Sequence, residues 1–343
     1  MKAISRKHLV CSIGLLVALI ICIAIPSWAA PEKVLKLRYA SYFPPTHPMS
    51  KLAEEWGKEV EKRTDGRIKI TFFAGNTLTP PMQTYESVVK GIADIGHAMQ
   101  SWSPGRFPLT EVVTLPMGIT SGYQATKMSN EYYKKFRPKE FDDTKVMYFH
   151  AIGPGLLHLK KSVSSLDDIK GLRIRVNTDQ HGIAKAVGVV PVDLPITETY
   201  DALSKGLVDG ILLPMDVLKG WRFGELVKTT FEISALGYTA PHYVVMNKDK
   251  WSSISTADQQ TIEKINDEWV EKQGKLWNDL DKEAREFGIQ KGVKMVKANK
   301  EDEARVAQGM KPLLTEYVQA KKAKGLPAEE ALKFCVDYIK THP

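Results

Sequence analysis

The sequence predicts an α/β protein of two lobes, with one long helix spanning both. Three observations carry this. Short apolar segments alternate with helical patterns in two separate series. Each series has enough apolar residues for a core of its own. A run of about 30 residues with apolar positions every three or four is longer than one lobe can hold. The 343 residues allow about two domains at roughly 100–200 residues each. With 43% hydrophobic and 26% charged residues, the chain is neither disordered nor collagen-like.

The first segment reads as a leader. Lys2, Arg6 and Lys7 precede an apolar stretch from Leu9 to Ile25, and Ser27 and Ala29 fit the small residues of a cleavage site. This is the pattern of a secretory signal peptide, expected to end at Ala29. As an uncleaved anchor the stretch falls short of the ~20 residues that span comfortably. Ile21 before Cys22 does not suit a lipoprotein. Removing residues 1–29 takes away three positive charges, so the net charge of +8 drops to +5, and of three cysteines only Cys335 is left. A large exported chain without disulfides fits the bacterial periplasm.

The first α/β series follows. Val34 to Tyr39 reads as a strand. Met49, Leu52, Ala53, Trp56 and Val60 form a helix face that Gly66 ends. Ile68 to Phe73 alternates as a strand. Met82 to Val89 is helical, and Ile92 to Met99 is a third strand. This βαβαβ order predicts a parallel sheet. Pro and Gly between Ser101 and Pro116 mark a loop. A helix runs from Tyr123 to about Phe136. Strands follow at Val146 to Ile152 and Leu156 to Leu159, around Gly153-Pro154-Gly155.

The second series has strands at Leu172 to Val176, Val189 to Leu194, Asp209 to Leu213, Phe231 to Ile233 and Tyr243 to Met246. Helices lie at Gly182 to Val187 and Thr199 to Lys205. From Ser255 to Phe287, Ile262, Ile265, Trp269, Leu276, Leu280 and Phe287 recur at helical spacing. One helix of roughly 45 Å is expected, with two helices broken near Gly274 as the alternative. A strand at Val293 to Val296 and two charged helices, Glu301 to Lys324 and Ala328 to Lys340, close the chain. The expected division is signal peptide 1–29, lobe I from 30–152 plus about 241–275, and lobe II from 153–240 plus about 276–343, including the C-terminal helices.

Enzyme signatures are missing: there is no GxSxG, HExxH, GxxxxGK[ST] or GxGxxG. His47, His97, His150, His158, His181, His242 and His342 show no i, i+3 or i, i+4 pair, so no helical metal site is expected. No catalytic residue, cofactor or metal is assigned. Basic and acidic residues interleave, as in Glu54, Glu55, Lys58, Glu59, Glu61, Lys62 and Arg63. That is a solvated face and not a nucleic-acid stripe. One segment is unusual. Arg173 and Arg175 lie two apart on a strand where a core would take apolar residues. An arginine at the C-terminal end of such a strand points into the crevice where α/β sheets bind ligands, and its planar head can grip a carboxylate.

Several segments resemble the substrate-binding proteins of tripartite ATP-independent periplasmic (TRAP) transporters. They are Tyr39-Ala40-Ser41-Tyr42-Phe43-Pro44-Pro45-Thr46-His47-Pro48, Gly153-Pro154-Gly155 with His158, Gly171-Leu172-Arg173-Ile174-Arg175, Val190-Pro191-Val192-Asp193-Leu194-Pro195, Tyr200-Asp201-Ala202-Leu203, Gly206-Leu207-Val208-Asp209-Gly210 through Pro214, and Asn247-Lys248-Asp249-Lys250-Trp251. The resemblance implies a two-lobed periplasmic binding protein fold with crossing hinge strands. It implies a monomeric receptor whose cleft closes on a small organic acid, which it delivers to TRAP permease subunits. Arg175 maps to the family's carboxylate clamp, and Arg173 is secondary. Where many members have a polar residue before the Pro, this chain has Ile211, Leu212 and Leu213. The ligand expected is therefore a monocarboxylate with an apolar or aromatic body. The remaining expected pocket residues are Tyr42, His47, Gln100, Trp102, Asn177, Leu213, Asp216 and Tyr238, with Phe43 as a further aromatic. A ligand sensor feeding a kinase and an exported enzyme acting on small acids are the alternatives.

Overall fold

The computed structural model describes residues 34–343, so the expected leader lies outside the described residues. The chain first builds β1 (Leu35–Ser41), α1 (Pro48–Arg63), β2 (Ile68–Phe73), α2 (Thr84–Val89), β3 (Ile95–Met99), α3 (Gly122–Phe136) and β4 (Thr144–Ala151). It then crosses to a second set: β5 (Leu156–Leu159), β6 (Arg173–Val176), α4 (His181–Ala186), β7 (Val190–Asp193), α5 (Ile196–Ser204), β8 (Gly210–Leu213), α6 (Val217–Gly220) and β9 (Thr229–Glu232). It returns with β10 (Pro241–Asn247) and α7 (Lys248–Ser252). It closes with α8 (Thr256–Gln290), β11 (Lys294–Lys297), α9 (Lys300–Lys322) and α10 (Ala328–Thr341).

Two sheets form, in the orders β2-β1-β3-β10-β4 (lobe I) and β11-β9-β5-β8-β6-β7 (lobe II). The βαβ units are parallel as expected: β1 with β2 and β3, and β6 with β7 and β8. The sheets are nevertheless mixed. β10 runs antiparallel to β3 and β4, and β5 runs antiparallel to β8 and β9. These two strands enter directly from the other lobe, without a crossover helix to reverse them.

The crossings 152–155 and 233–240 lie side by side. Gly155 N donates to Tyr238 O at 3.1 Å, and Thr239 Oγ1 donates to Ile152 O at 2.6 Å. A Cβ on Gly155 would lie 1.8 Å from the Tyr238 ring, so only glycine allows the two segments to close up.

α8 is the third crossing. It is one unbroken helix of 35 residues, about 52 Å long, and Ser255 Oγ caps it by accepting from Asp258 N. Gly274 is not a break. A Cβ there would sit 2.8 Å from the Tyr123 ring, so the glycine lets α3 pack close. Ile262, Ile265 and Trp269 of α8 join the lobe I core with Leu37, Trp56 and Val244, and Ala284 joins a lobe II cluster with Leu156, Met215 and Leu218. The helix thus braces both lobes.

The C-terminal helices depart from the expected assignment to lobe II. Val306 and Met310 of α9 pack into lobe II, but its Tyr317 lies with Leu109 and Val112 of lobe I. α10 packs Ala331, Cys335 and Ile339 against Ala125, Met128 and Tyr132 of lobe I. The apolar face of α10 finds its complement on α3, which sequence position alone does not indicate. Cys335 is buried there as a packing residue.

Candidate functional site

The candidate residues follow the C-terminal ends of parallel strands facing each other across the lobes. Tyr42 follows β1, Gln100 and Trp102 form the turn after β3, Asn177 follows β6, and Asp216 follows β8. Such sheets leave a ligand crevice at these ends.

Arg175 lies on β6 and is only 2% exposed. Its Nε donates to Leu194 O and its Nη2 to Asn177 Oδ1, both at 2.9 Å. Nη1 has no partner. Burial pulls the guanidinium below the usual arginine range, to about 10, with Tyr238, Asp179 and Asp193 opposing the shift, so it is charged at neutral pH. A buried charge with a free donor is costly unless an anion meets it. Asn177 is held in turn by a capping box with Gln180. Arg173 differs: it is half-exposed and paired with Asp209, with Nη2 and Oδ1 2.9 Å apart.

On lobe I, Tyr42 packs against Phe43 and meets Trp102 edge-on, with ring centroids 4.1 and 4.5 Å away. Its hydroxyl and His242 Nε2 are hydrogen-bonded at 2.7 Å. His47 caps α1, its Nδ1 accepting from Met49 N at 3.2 Å, and burial lowers its pKa to about 4. A Cβ on Gly220 would come 3.7 Å from His47 Nε2 and 3.9 Å from Asp216 Oδ2, so lobe I and α6 nearly touch here.

Asp216 is buried, and its backbone N donates to Asp281 Oδ1 at 3.0 Å from α8. Its own Oδ1 is unpartnered, and its side chain caps no helix. Burial and then the neighbouring Asp281 raise the Asp216 carboxyl well above its usual range. Burial pushes Asp281 up to about 7.

Sequence reasoning missed a buried histidine cluster beneath this wall. His97, His150 and His242 sit on β3, β4 and β10 and are fully buried. Trp277 Nε1 of α8 donates to His150 Nδ1 at 2.9 Å. His150 Nε2 lies 2.7 Å from His97 Nε2, and His97 Nδ1 lies 3.2 Å from Ser41 Oγ. Burial lowers all three pKa values, that of His242 to about 3, so the rings are neutral. The signal was present as three histidines on strands, but strand order was needed to bring them together. Among the described residues no group of three or more His, Cys, Asp or Glu is arranged to hold a metal ion.

Two candidates are placed elsewhere. Leu213 packs with Ile211, Val217 and Phe223 in a lobe II cluster, because strand alternation turns it to that face. Tyr238 is part of the core and its hydroxyl donates to Leu212 O at 3.0 Å, so that group is already used. A cavity of about 440 Å³ lies between the lobes, lined by Gln100 and its turn on one side, by Thr178, Asp179 and Ile183 on the other and by Glu316 and Lys321 of α9. Of the expected residues it takes in Gln100, while Asn177 and Arg175 lie just behind its Thr178–Asp179 wall.

Two α/β lobes joined by paired crossing strands, with a half-satisfied guanidinium buried on β6 of one lobe, have the build of a two-lobed solute receptor. The sequence profile of DctP, the bacterial extracellular solute-binding proteins of family 7, matches residues 39–321, and the chain belongs to that family. A TRAP periplasmic solute-binding protein from Desulfovibrio salexigens superimposes with a TM-score of 0.83 at 30% identity, covering 90% of this chain and 96% of the other. One from Bordetella bronchiseptica, with bound (R)- and (S)-mandelate, gives 0.82 at 28% identity, covering 90% and 100%. A marine metagenome protein described as specific for aromatic acid ligands, holding 3-hydroxybenzoate, gives 0.83 at 25% identity, covering 90% and 99%. Among curated proteins, the "outer membrane transporter protein TsaT" of Comamonas testosteroni is 24% identical over 301 residues, 86% of this chain and 88% of that one. The protein is a periplasmic receptor that binds a small organic acid for a TRAP transporter of the membrane. The family and these structural neighbours are receptors and not enzymes.

Proposed function

We propose that the ligand is a monocarboxylate with an aromatic body, held by Arg175 and released unchanged, with no catalytic step. The single observation that carries this is the buried Arg175 guanidinium with Nη1 left unpartnered. A carboxylate accepts two parallel hydrogen bonds from such a head. The rings of Tyr42 and Trp102 support an aromatic body, since edge-on and offset contacts favour a flat partner. The mandelate and 3-hydroxybenzoate of two relatives are acids of this kind. Gln100, Asn177, His47 and Asp216 complete the proposed pocket. Leu213 and Tyr238 support it from the core behind. The working unit is a monomer with lobe I from 30–152 and about 241–275, and lobe II from 153–240 and the chain from about 276 up to α10. The lobes close about the crossings 152–155 and 233–240.

A thermal-shift screen of the purified receptor against aromatic, aliphatic and dicarboxylic acids tests the reading. Aromatic monocarboxylates should raise the melting temperature, increasingly with concentration over Kd. A shift given only by sugars or cations would contradict it.

A further inference from the structure

We propose that the ligand carries a hydrogen-bond donor, a hydroxyl or an ammonium group, besides the carboxylate, and that Gln100 and Asp179 receive it in the interlobe cavity next to the turn that holds Arg175. This deepens the reading above and rests on it.

Three observations meet at the interlobe cavity. The first is an orphaned acceptor. Gln100 is 4% exposed and lines the cavity, yet its Oε1 has no hydrogen-bond partner, and neither does Ser101 Oγ beside it. Unpaired buried polar atoms cost stability unless something meets them. The second is charge. The lining carries Asp179, Glu111 and Glu316 against one cation, Lys321, which is already paired with Glu111. A donor is therefore welcome in this cavity and a second carboxylate is repelled. Repulsion of this kind is how a site rejects the wrong partner. Asp179 is exposed to the open cavity, and desolvation by the cavity walls pushes its carboxyl up to about 6. The third is adjacency. Asp179 belongs to the turn that Asn177 caps, and Asn177 holds Arg175. Thr178 and Asp179 of that same turn line the cavity, so the clamp and the cavity are joined by one short segment.

The proposed site is thus bipolar, with a cation at the clamp and acceptors in the adjoining cavity. It selects acids with a donor substituent over both plain acids and dicarboxylates.

The test is calorimetric titration of the receptor with benzoate, 3-hydroxybenzoate, 3-(aminomethyl)benzoate, 3-methoxybenzoate and isophthalate. The hydroxyl or the ammonium acid should bind roughly fivefold to tenfold tighter than the methoxy acid, and isophthalate should bind weakest. Which of the two donors wins identifies the group. In the Gln100→Leu, Asp179→Asn double variant the ratio of hydroxy to methoxy affinity should collapse towards one. Equal binding of the methoxy and hydroxy acids in the unaltered receptor, or tight binding of isophthalate, overturns the proposal even if that variant fails to fold. Either result leaves the Arg175 reading intact as long as benzoate binds and Arg175→Ala weakens it. If none of the acids binds, the carboxylate reading falls and takes this proposal with it.

Discussion

Trp277 Nε1 on the bracing helix donates to His150 Nδ1 on β4 at 2.9 Å. An indole can only donate, so this bond sets the direction of those that follow. Neutral His150 must carry its proton on Nε2 and donate it to His97 Nε2. His97 then carries its proton on Nδ1, facing Ser41 Oγ. The long helix and three strands of the lobe I sheet are locked by one chain of oriented hydrogen bonds, next to the crossings on which the lobes turn.

Replacing Trp277 with Phe removes the first donor of that chain, the one that orients the rest, and leaves His150 Nδ1 buried and unpaired. The expected loss is about 1–3 kcal/mol, beyond the packing change. Urea denaturation should show the lower midpoint with an unchanged slope.

Asp281 gives a pH signature. Its carboxyl titrates near 3.8 when unperturbed and is pushed up to about 7 in the fold. Between those values the folded state holds more protons than the unfolded one, so this group's contribution to stability falls as pH rises from about 4 to 7. Asp281→Asn cannot titrate and still offers an acceptor to Asp216 N. The variant should melt higher than the unaltered protein at pH 8, by about 2 °C or more, and the difference should shrink towards pH 4. Parallel melting curves across that range would contradict the assignment.

Gly155→Ala places a methyl 1.8 Å from the Tyr238 ring, where the crossing segments pair. Overpacking of this kind costs typically 1–3 kcal/mol, sometimes more. The melting temperature should drop clearly. The companion change Gly66→Ala, at a turn with positive φ but open space around it, should cost less.

Much of this architecture was legible in the chain. The 68–73 and 156–159 strands coincide with their apolar runs, and helical spacing revealed α8 because 35 residues carry a strong period. Arg175 was legible because an arginine on a buried strand violates the apolar pattern. What local pattern could not supply was pairing over long distances. The antiparallel β5 and β10 follow from the lobe crossings, and α10 docks on α3 through a face that sequence order does not assign. Leu213 and Tyr238 looked like pocket residues, but strand alternation and a hydrogen bond to Leu212 O turn them into the core. The histidine cluster and the Asp216–Asp281 pair join residues from distant segments, so no motif spacing announces them.

The most direct test of the central claim is calorimetric titration of the unaltered receptor and Arg175→Ala with the aromatic acid that gives the largest thermal shift. Loss of a charge-assisted contact of about 1.5–3 kcal/mol predicts at least tenfold weaker binding, with the fold of the free protein intact by circular dichroism. Unchanged affinity in Arg175→Ala would contradict the carboxylate clamp.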